Sequence, residues 1–480
     1  MTLIARLRTI PYLPLLTGLM VLRLVTASRA GLVPDESYYW LWAQHPALGY
    51  YDHPPMVAWW IAGFTALADF APLVRLPFIL SFLALSWLMY DTAKVLFSAS
   101  VARRALLWLN ACVLLSVGSV IATPDPPSVL MWACGLWALA KLHTTGKGWW
   151  WLVFGLFAGL GFEAKYTNLF LGVGVIAWMA LDKDARRHLL TPWPYLGGLI
   201  AAAAMAPNLI WNAHHGWITF AKQFGRIEGS HFTAKYLIEF LISQPLLINP
   251  LIFVFVVTGV MMWWRNRHDT NLTLLIALPL PLLAYMLVHV FHDRIQGNWP
   301  APVYPGLIVL AAAASETVTG KWLPRLRMWA APLGIGLSVI ALMYLALGNL
   351  GPSLAGAAGL SQGWKPLTET IVEKAAKLDA DWIATTDYNT QGELAHAMGG
   401  NTFSPVPLVE RERYGWPTYE NILFRKRALI VVDASHSPDL AKCFNDLTDQ
   451  GTVSRLKKPG KKSDFRLYTG RLKYVGCNLD

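Results

Sequence analysis

Pro34-Asp35-Glu36-Ser37-Tyr38-Tyr39-Trp40, followed closely by Tyr50-Tyr51-Asp52-His53-Pro54-Pro55, comes just after the first apolar run of membrane length, roughly residues 11–28. The two stretches set three carboxylates, one imidazole and a cluster of aromatic rings beside a bilayer. Ionisable groups are costly to keep dry there, so such a concentration points to function rather than to packing.

Working outward, runs of about 17 to 22 apolar residues recur at roughly 75–97, 104–122, 127–143, 149–163, 167–181, 195–210, 245–264, 271–291, 301–316 and 328–349. With the first run they make about eleven expected spans. Met56 to Leu67 is apolar but too short to cross, and reads as an interfacial or re-entrant helix. The composition agrees: 55% of the 480 residues are hydrophobic and only 14% are charged, against about 25% charged in ordinary soluble domains. Many of the 23 tryptophans sit near the ends of apolar runs, as in Trp149-Trp150-Trp151, where interfacial anchors belong.

The net charge of +11 does not indicate nucleic acid. Its bases fall in short clusters between apolar runs, and the region from residue 350 onward carries only +2 of it. Counted by loop, one alternate set holds fifteen Lys and Arg, from Arg6 and Arg8 to Arg327, and the other holds seven. The richer set is expected on the cytoplasmic side, with the N-terminus. Asp35, Glu36, Asp52, His53, Asp125, Glu163, Lys165, His292, Asp293 and Arg294 then fall on the outer face.

Residues 350–480 read as a small soluble α/β domain, expected outside the cytoplasm. Leu367–Leu378 and Asn389–Met398 have helical patterns. Asp381–Thr386, Ala428–Asp433 and Phe465–Thr469 read as strands of a parallel or mixed sheet, and the basic run 457–462 as an exposed turn. Cys112 and Cys134 lie in apolar runs as packing residues. Cys443 and Cys477 are free to pair if this region meets an oxidising compartment. The expected division is a membrane domain over 1–349, with a first outer loop at 29–74, and an outer domain over 350–480.

Several local motifs carry a resemblance. Asp35-Glu36 lies in the first outer loop, Asp52-His53-Pro54-Pro55 follows it, and Arg75-Leu76-Pro77 opens the second span. Thr123-Pro124-Asp125 follows the third span, a Gly-rich run ends in Lys165-Tyr166, and Asn298-Trp299-Pro300 stands in a later outer loop. In order and spacing the chain resembles the GT-C glycosyltransferases of the protein O-mannosyltransferase and aminoarabinose-transferase superfamily. His53, where aminoarabinose transferases carry Lys, is similar to a bacterial branch that includes galacturonosyltransferases acting on lipopolysaccharide. The resemblance implies a GT-C fold in the bacterial inner membrane. It also implies an inverting transfer of a sugar from a polyprenyl-phosphate donor to lipopolysaccharide, lipid A, another envelope glycan or protein. By the same resemblance no metal or other cofactor is expected to be required.

Such a transfer needs a base for the acceptor, cations for the leaving phosphate and a groove for the lipid tail. Asp35 is the expected base, with Glu36 orienting it and Asp125 as a further acidic group. Each has a plainer role available, Asp35 and Asp125 as helix caps. Lys165 and Arg294 suit phosphate as a point charge and a planar fork, and His53 suits phosphate binding or proton transfer. Lys165 also has an ordinary alternative, reaching the interface or pairing with Glu163. Tyr38, Tyr51, Asp52, Tyr166 and Asn298 are expected to contact substrate, although interfacial tyrosines are also common anchors. A divalent metal, were one used, would fall to Asp52 and His53 with His231 or His292. The segment 207–244 is long enough for a flap. The competing reading is a transporter or flippase of lipid-linked sugars. Transporters set polar groups near the midplane of paired repeats, whereas here they gather at one face and no repeat is evident.

Overall fold

The structure, a computed structural model, describes residues 11–225, 232–347, 361–399, 405–415, 423–436, 438–458 and 461–479. Arg6, Arg8, His231, the tip of the 457–462 run and the 349/350 boundary lie outside the described residues. The chain forms two compact units. One comprises Met1–Leu24, Asp52–Val57 and Arg75–Leu342, and the other Val25–Tyr51, Ala58–Val74 and Met343–Asp480. The helices of the first outer loop, expected with the membrane domain, therefore cluster with the C-terminal region.

The regular elements described in the first unit are all helices, because its runs of Leu, Ala, Val and Trp must satisfy their backbone internally to lie in lipid. Described helices overlap all eleven expected spans, but four are long and apolar enough to cross by themselves: Ala71–Leu96, Trp193–His214, Thr270–His289 and Leu323–Leu347. Two bent pairs bring the number to six at most. By length and composition alone these described helices amount to four to six spans where eleven are expected, and several expected spans are built from broken pieces. The 104–122 run breaks at Ala111-Cys112 into Ala99–Asn110 and Val113–Gly118. The 245–264 run starts inside a pair, Leu237–Ile248 and Pro250–Arg265, bent by 103°. Asn249 makes that corner: its φ is 120°, its side-chain amide donates to the Ala330 carbonyl at 2.7 Å, and Pro250 opens the next helix.

Close backbone approach knits the Trp150–Ala164 helix to Trp193–His214. A Cβ on Gly155 would come within 2.0 Å of the Gly197 carbonyl oxygen, and one on Gly159 within 2.6 Å of that of Ala201. Small residues four apart are how helices approach each other where lipid removes the hydrophobic drive. The segment expected as a flap is mostly helical, continuing Trp193–His214 and including Ile218–Phe224 and part of Leu237–Ile248.

The second unit holds a five-stranded mixed sheet in the order β2-β1-β3-β5-β4. β1 (Trp382–Thr385) runs parallel to β2 (Val406–Pro407) and to β3 (Arg427–Asp433). β5 (Lys461–Leu472) is antiparallel to β3 and to β4 (Phe444–Lys458). Alternation decides the two faces. Trp382, Ala384, Ile430 and Val432 pack on one side with Phe444, and Ile383, Leu429, Val431 and Leu467 on the other beneath the Trp364–Lys377 helix. Cys443 and Cys477 form a disulfide.

Candidate functional site

In the first unit the site begins at a helix start. Thr123-Pro124-Asp125-Pro126-Pro127 opens the helix Asp125–Thr145. Pro126 and Pro127 have no N–H, so two of the first-turn donors that a capping side chain would serve are absent. The Asp125 carboxylate is turned to other partners. Its Oδ1 lies 2.6 Å from Lys165 Nζ, and its Oδ2 accepts a hydrogen bond from Asn298 Nδ2 at 2.6 Å. Three segments far apart in sequence thus meet at one carboxylate.

Lys165 ends the helix Trp150–Ala164 in an extended conformation, φ −163° and ψ 135°, before a single 3-10 turn at Tyr166–Asn168. That turn is tied to the start of the Asp125 helix by Asn168 Nδ2, which donates to Ser128 Oγ at 2.6 Å. The Lys165 and Asp125 side chains are 11% and 19% exposed, so the pair is largely shielded. An ammonium carries three N–H bonds. One serves Asp125, and the other two have no acceptor among the described residues.

Tyr166 points away from this cluster. Its hydroxyl donates to Asn208 Oδ1 at 2.7 Å and accepts from Asn212 Nδ2 at 3.3 Å, and its ring stacks on Phe220 at 4.8 Å. Glu163, 1% exposed, accepts the Asn208 backbone N–H through Oε1 and is not paired with Lys165. Asp52 is buried and His53 half-buried; the Asp52 carbonyl accepts a hydrogen bond from the Gln223 side chain. Arg294 stands apart. Its side chain is 63% exposed and its Nε donates to Glu239 Oε1 at 3.0 Å; that bond and that charge raise its pKa. Among the described residues no three His, Cys, Asp or Glu side chains are grouped to hold a metal ion.

In the second unit, Pro34–Gln44 is a helix with Asp35 and Glu36 in its first turn. The two carboxylates differ sharply. Glu36 is fully buried, and its Oε2 accepts the Val33 backbone N–H at 3.0 Å, satisfying a donor at the helix start. Asp35 is exposed. Tyr38 is 2% exposed and meets Tyr388 and Tyr414 edge-on at 5.6 and 5.9 Å. The Arg413 guanidinium faces the rings of Tyr388 at 4.7 Å, Tyr51 at 5.7 Å and Tyr38 at 5.8 Å. Glu410 holds it through two bonds, at 2.7 and 2.8 Å.

Of the expected residues, the structure brings Asp125, Lys165 and Asn298 into direct contact, and it gathers Tyr38 and Tyr51 around one guanidinium. It sends Tyr166 and Arg294 elsewhere. Arg413, Tyr388, Gln223 and Asn168 were not anticipated. Nothing in their local sequence marks them, because their roles arise only from tertiary contact.

Three comparisons bear on this arrangement. Residues 52–211 match the model of the dolichyl-phosphate-mannose-protein mannosyltransferase family. Over 316 residues, 64% of this chain, the sequence is 27% identical to the lipid A galacturonosyltransferase RgtD of Rhizobium johnstonii, and it spans 62% of that protein's length. The fold is similar to that of ArnT from Cupriavidus metallidurans, both bound to undecaprenyl phosphate (TM-score 0.66, 14% identity, 95% of this chain and 97% of the other) and in the apo state (TM-score 0.64, 15% identity, 95% and 96%). The resemblance to GT-C enzymes of the bacterial branch, drawn from the motifs, is borne out.

Proposed function

We propose that this chain is a membrane-embedded, inverting glycosyltransferase. It would move a sugar from a polyprenyl-phosphate donor to an envelope acceptor, in the class of lipid A, lipopolysaccharide or a related glycan, on the periplasmic side of the inner membrane. The observation that carries the reading is the Asp125–Lys165–Asn298 cluster, in which two ammonium donors of Lys165 meet no acceptor among the described residues. A carboxylate fixed on both oxygens holds the lysine in place, and the remaining donors suit the oxygens of a departing phosphate. Asp35, exposed in the first turn of its helix, takes the proton of the acceptor nucleophile as the sugar carbon bonds to it. The bond from that carbon to the phosphate oxygen breaks, and the polyprenyl phosphate leaves with the electron pair. A single displacement of this kind inverts the carbon. Charge for the leaving group comes from side chains, so no metal is required.

Two further observations support the sidedness. The richer set of basic loops argues for a cytoplasmic N-terminus. The Cys443–Cys477 disulfide suits a domain that folds in an oxidising compartment.

The experiment is transfer by purified protein given polyprenyl-phosphate sugars and lipid A or lipopolysaccharide. Wild type should produce glycosylated acceptor, and Asp35→Asn should bind donor with little transfer. Movement of the lipid-linked sugar across a bilayer without any transfer would instead favour a flippase.

A further inference from the structure

The Pro34–Gln44 helix is seated directly on the Tyr388–Ala397 helix of the C-terminal region, and Gly392 lies where the two backbones come close. A Cβ built on Gly392 would lie 3.0 Å from the Tyr38 backbone nitrogen, 3.2 Å from the Ser37 carbonyl carbon and 3.3 Å from Tyr38 Cα. These are backbone atoms, which cannot rotate aside as a side chain can. Gly392 lies inside a helix and has no left-handed φ that would call for glycine. Glycine there costs about 1 kcal/mol of helix stability relative to alanine. What it gives in return is the approach of the other helix.

Other contacts hold the same seat. Trp40 meets His396 edge-on at 5.0 Å, and its indole donates to Asp69 Oδ1 at 2.8 Å. Tyr38 lies among Tyr388, Tyr414 and the Arg413 guanidinium, which Glu410 keeps oriented. Asp35 and Glu36 sit three and two residues before Tyr38, within the same turn of helix. A shift of the Ser37–Tyr38 backbone therefore moves both carboxylates with it.

We propose that the C-terminal α/β domain sets the position of the Asp35–Glu36 helix, with Gly392 as its principal positioning residue. The inference rests on the functional reading above and adds to it. The domain acts on the chemical step through helix placement, and it need not contact donor or acceptor to do so.

The test compares Gly392→Ala with Gly470→Ala in full-length protein. Gly470, in β5, is equally crowded, with a built Cβ 3.1 Å from Phe444 Cβ and 3.2 Å from the Asn445 carbonyl oxygen. Its neighbours belong to the β4–β5 hairpin, not to the Asp35 helix. Gly392→Ala should lower kcat by roughly tenfold, the scale expected for displacing a reacting group by a fraction of an ångström. Donor KM should stay within about twofold, and the melting temperature should fall less than that of Gly470→Ala, because the helix propensity gained by alanine offsets part of the packing cost. Gly470→Ala should lower the melting temperature with little change in kcat. Arg413→Met, made alongside, should share the kcat loss of Gly392→Ala. The positioning role is overturned if Gly392→Ala keeps full kcat, or if both glycine variants lose activity only in proportion to lost stability. Full transfer by Asp35→Asn would overturn the functional reading itself, whatever the glycine variants do.

Discussion

Lys165 Nζ and Asp125 Oδ1 stand 2.6 Å apart, joining the end of one long helix to the start of another across 40 residues of sequence. With both partners mostly shielded, neither charge is left alone cheaply. Lys165→Met would strand Asp125 with Asn298 as its remaining side-chain partner among the described residues. Breaking such a pair from one side costs stability, on the order of 3 kcal/mol if it were fully buried and less here because of the partial exposure. Donor affinity should fall with it. The double variant Lys165→Met, Asp125→Leu should recover much of the stability and none of the activity. Thermal melts and transfer assays on the three proteins check this.

Arg294 and Glu239 make the opposite kind of pair, exposed on both sides. Exposed pairs of this kind contribute little to stability. Glu239→Gln should therefore leave the melting temperature nearly unchanged. If Arg294 also serves the donor phosphate, Arg294→Ala should raise donor KM while Glu239→Gln lowers it or leaves it level. Donor titrations separate the two outcomes.

Asp387 links pH to the seat of the Asp35 helix. It caps Tyr388–Ala397, its Oδ1 accepting the Thr390 backbone N–H at 2.8 Å. Burial pushes its carboxyl above the usual value, with the Asp433 charge adding to the rise. The folded state then holds this proton more tightly than the unfolded state does. Its contribution is fullest below the unfolded value of 3.8 and is lost as pH rises through the higher folded value. Asp387→Asn keeps a good cap and should flatten this part of the stability profile. Asp387→Ala should cost about 1 kcal/mol through loss of the cap, most at low pH, where Asp387 contributes fully. Melting temperatures from pH 4 to 8 give the comparison.

The Cys443–Cys477 disulfide closes a loop with a sequence separation of 34 residues. Loop-closure entropy puts its contribution at about 3–4 kcal/mol. Cys443→Ser with Cys477→Ser, or reduction, should lower the melting point of the C-terminal region. Non-reducing mass spectrometry checks the bond, and melts with and without reductant read its effect.

Much of this was legible in the sequence, and the gaps have physical causes. Apolar run length located the long helices, since length and hydropathy are local properties. It missed the break at Ala111-Cys112 and the corner at Asn249, because both apolar runs read as continuous. β1 and β3 were visible as short buried runs. The β4–β5 hairpin was seen only at Phe465–Thr469, because β4 is polar and interrupted by register shifts at Asn445/Thr448 and Asp449/Thr452. At the site, loop parity set Asp125, Lys165 and Asn298 on one face, but only the fold shows that they touch. Tyr166 follows Lys165 in sequence and was grouped with it. The 3-10 turn between the two helices sends its side chain to Asn208 and Asn212 instead.

The most direct measurement is the affinity of detergent-solubilised protein for undecaprenyl phosphate, with Lys165→Ala set beside Lys141→Ala. Lys141 makes a 2.6 Å ion pair with Asp91, so the control removes a comparable pair at a position expected on the cytoplasmic side. Lys165→Ala should weaken binding at least tenfold, about 1.4 kcal/mol, while Lys141→Ala binds as wild type does. Equal binding by wild type and Lys165→Ala would contradict the account.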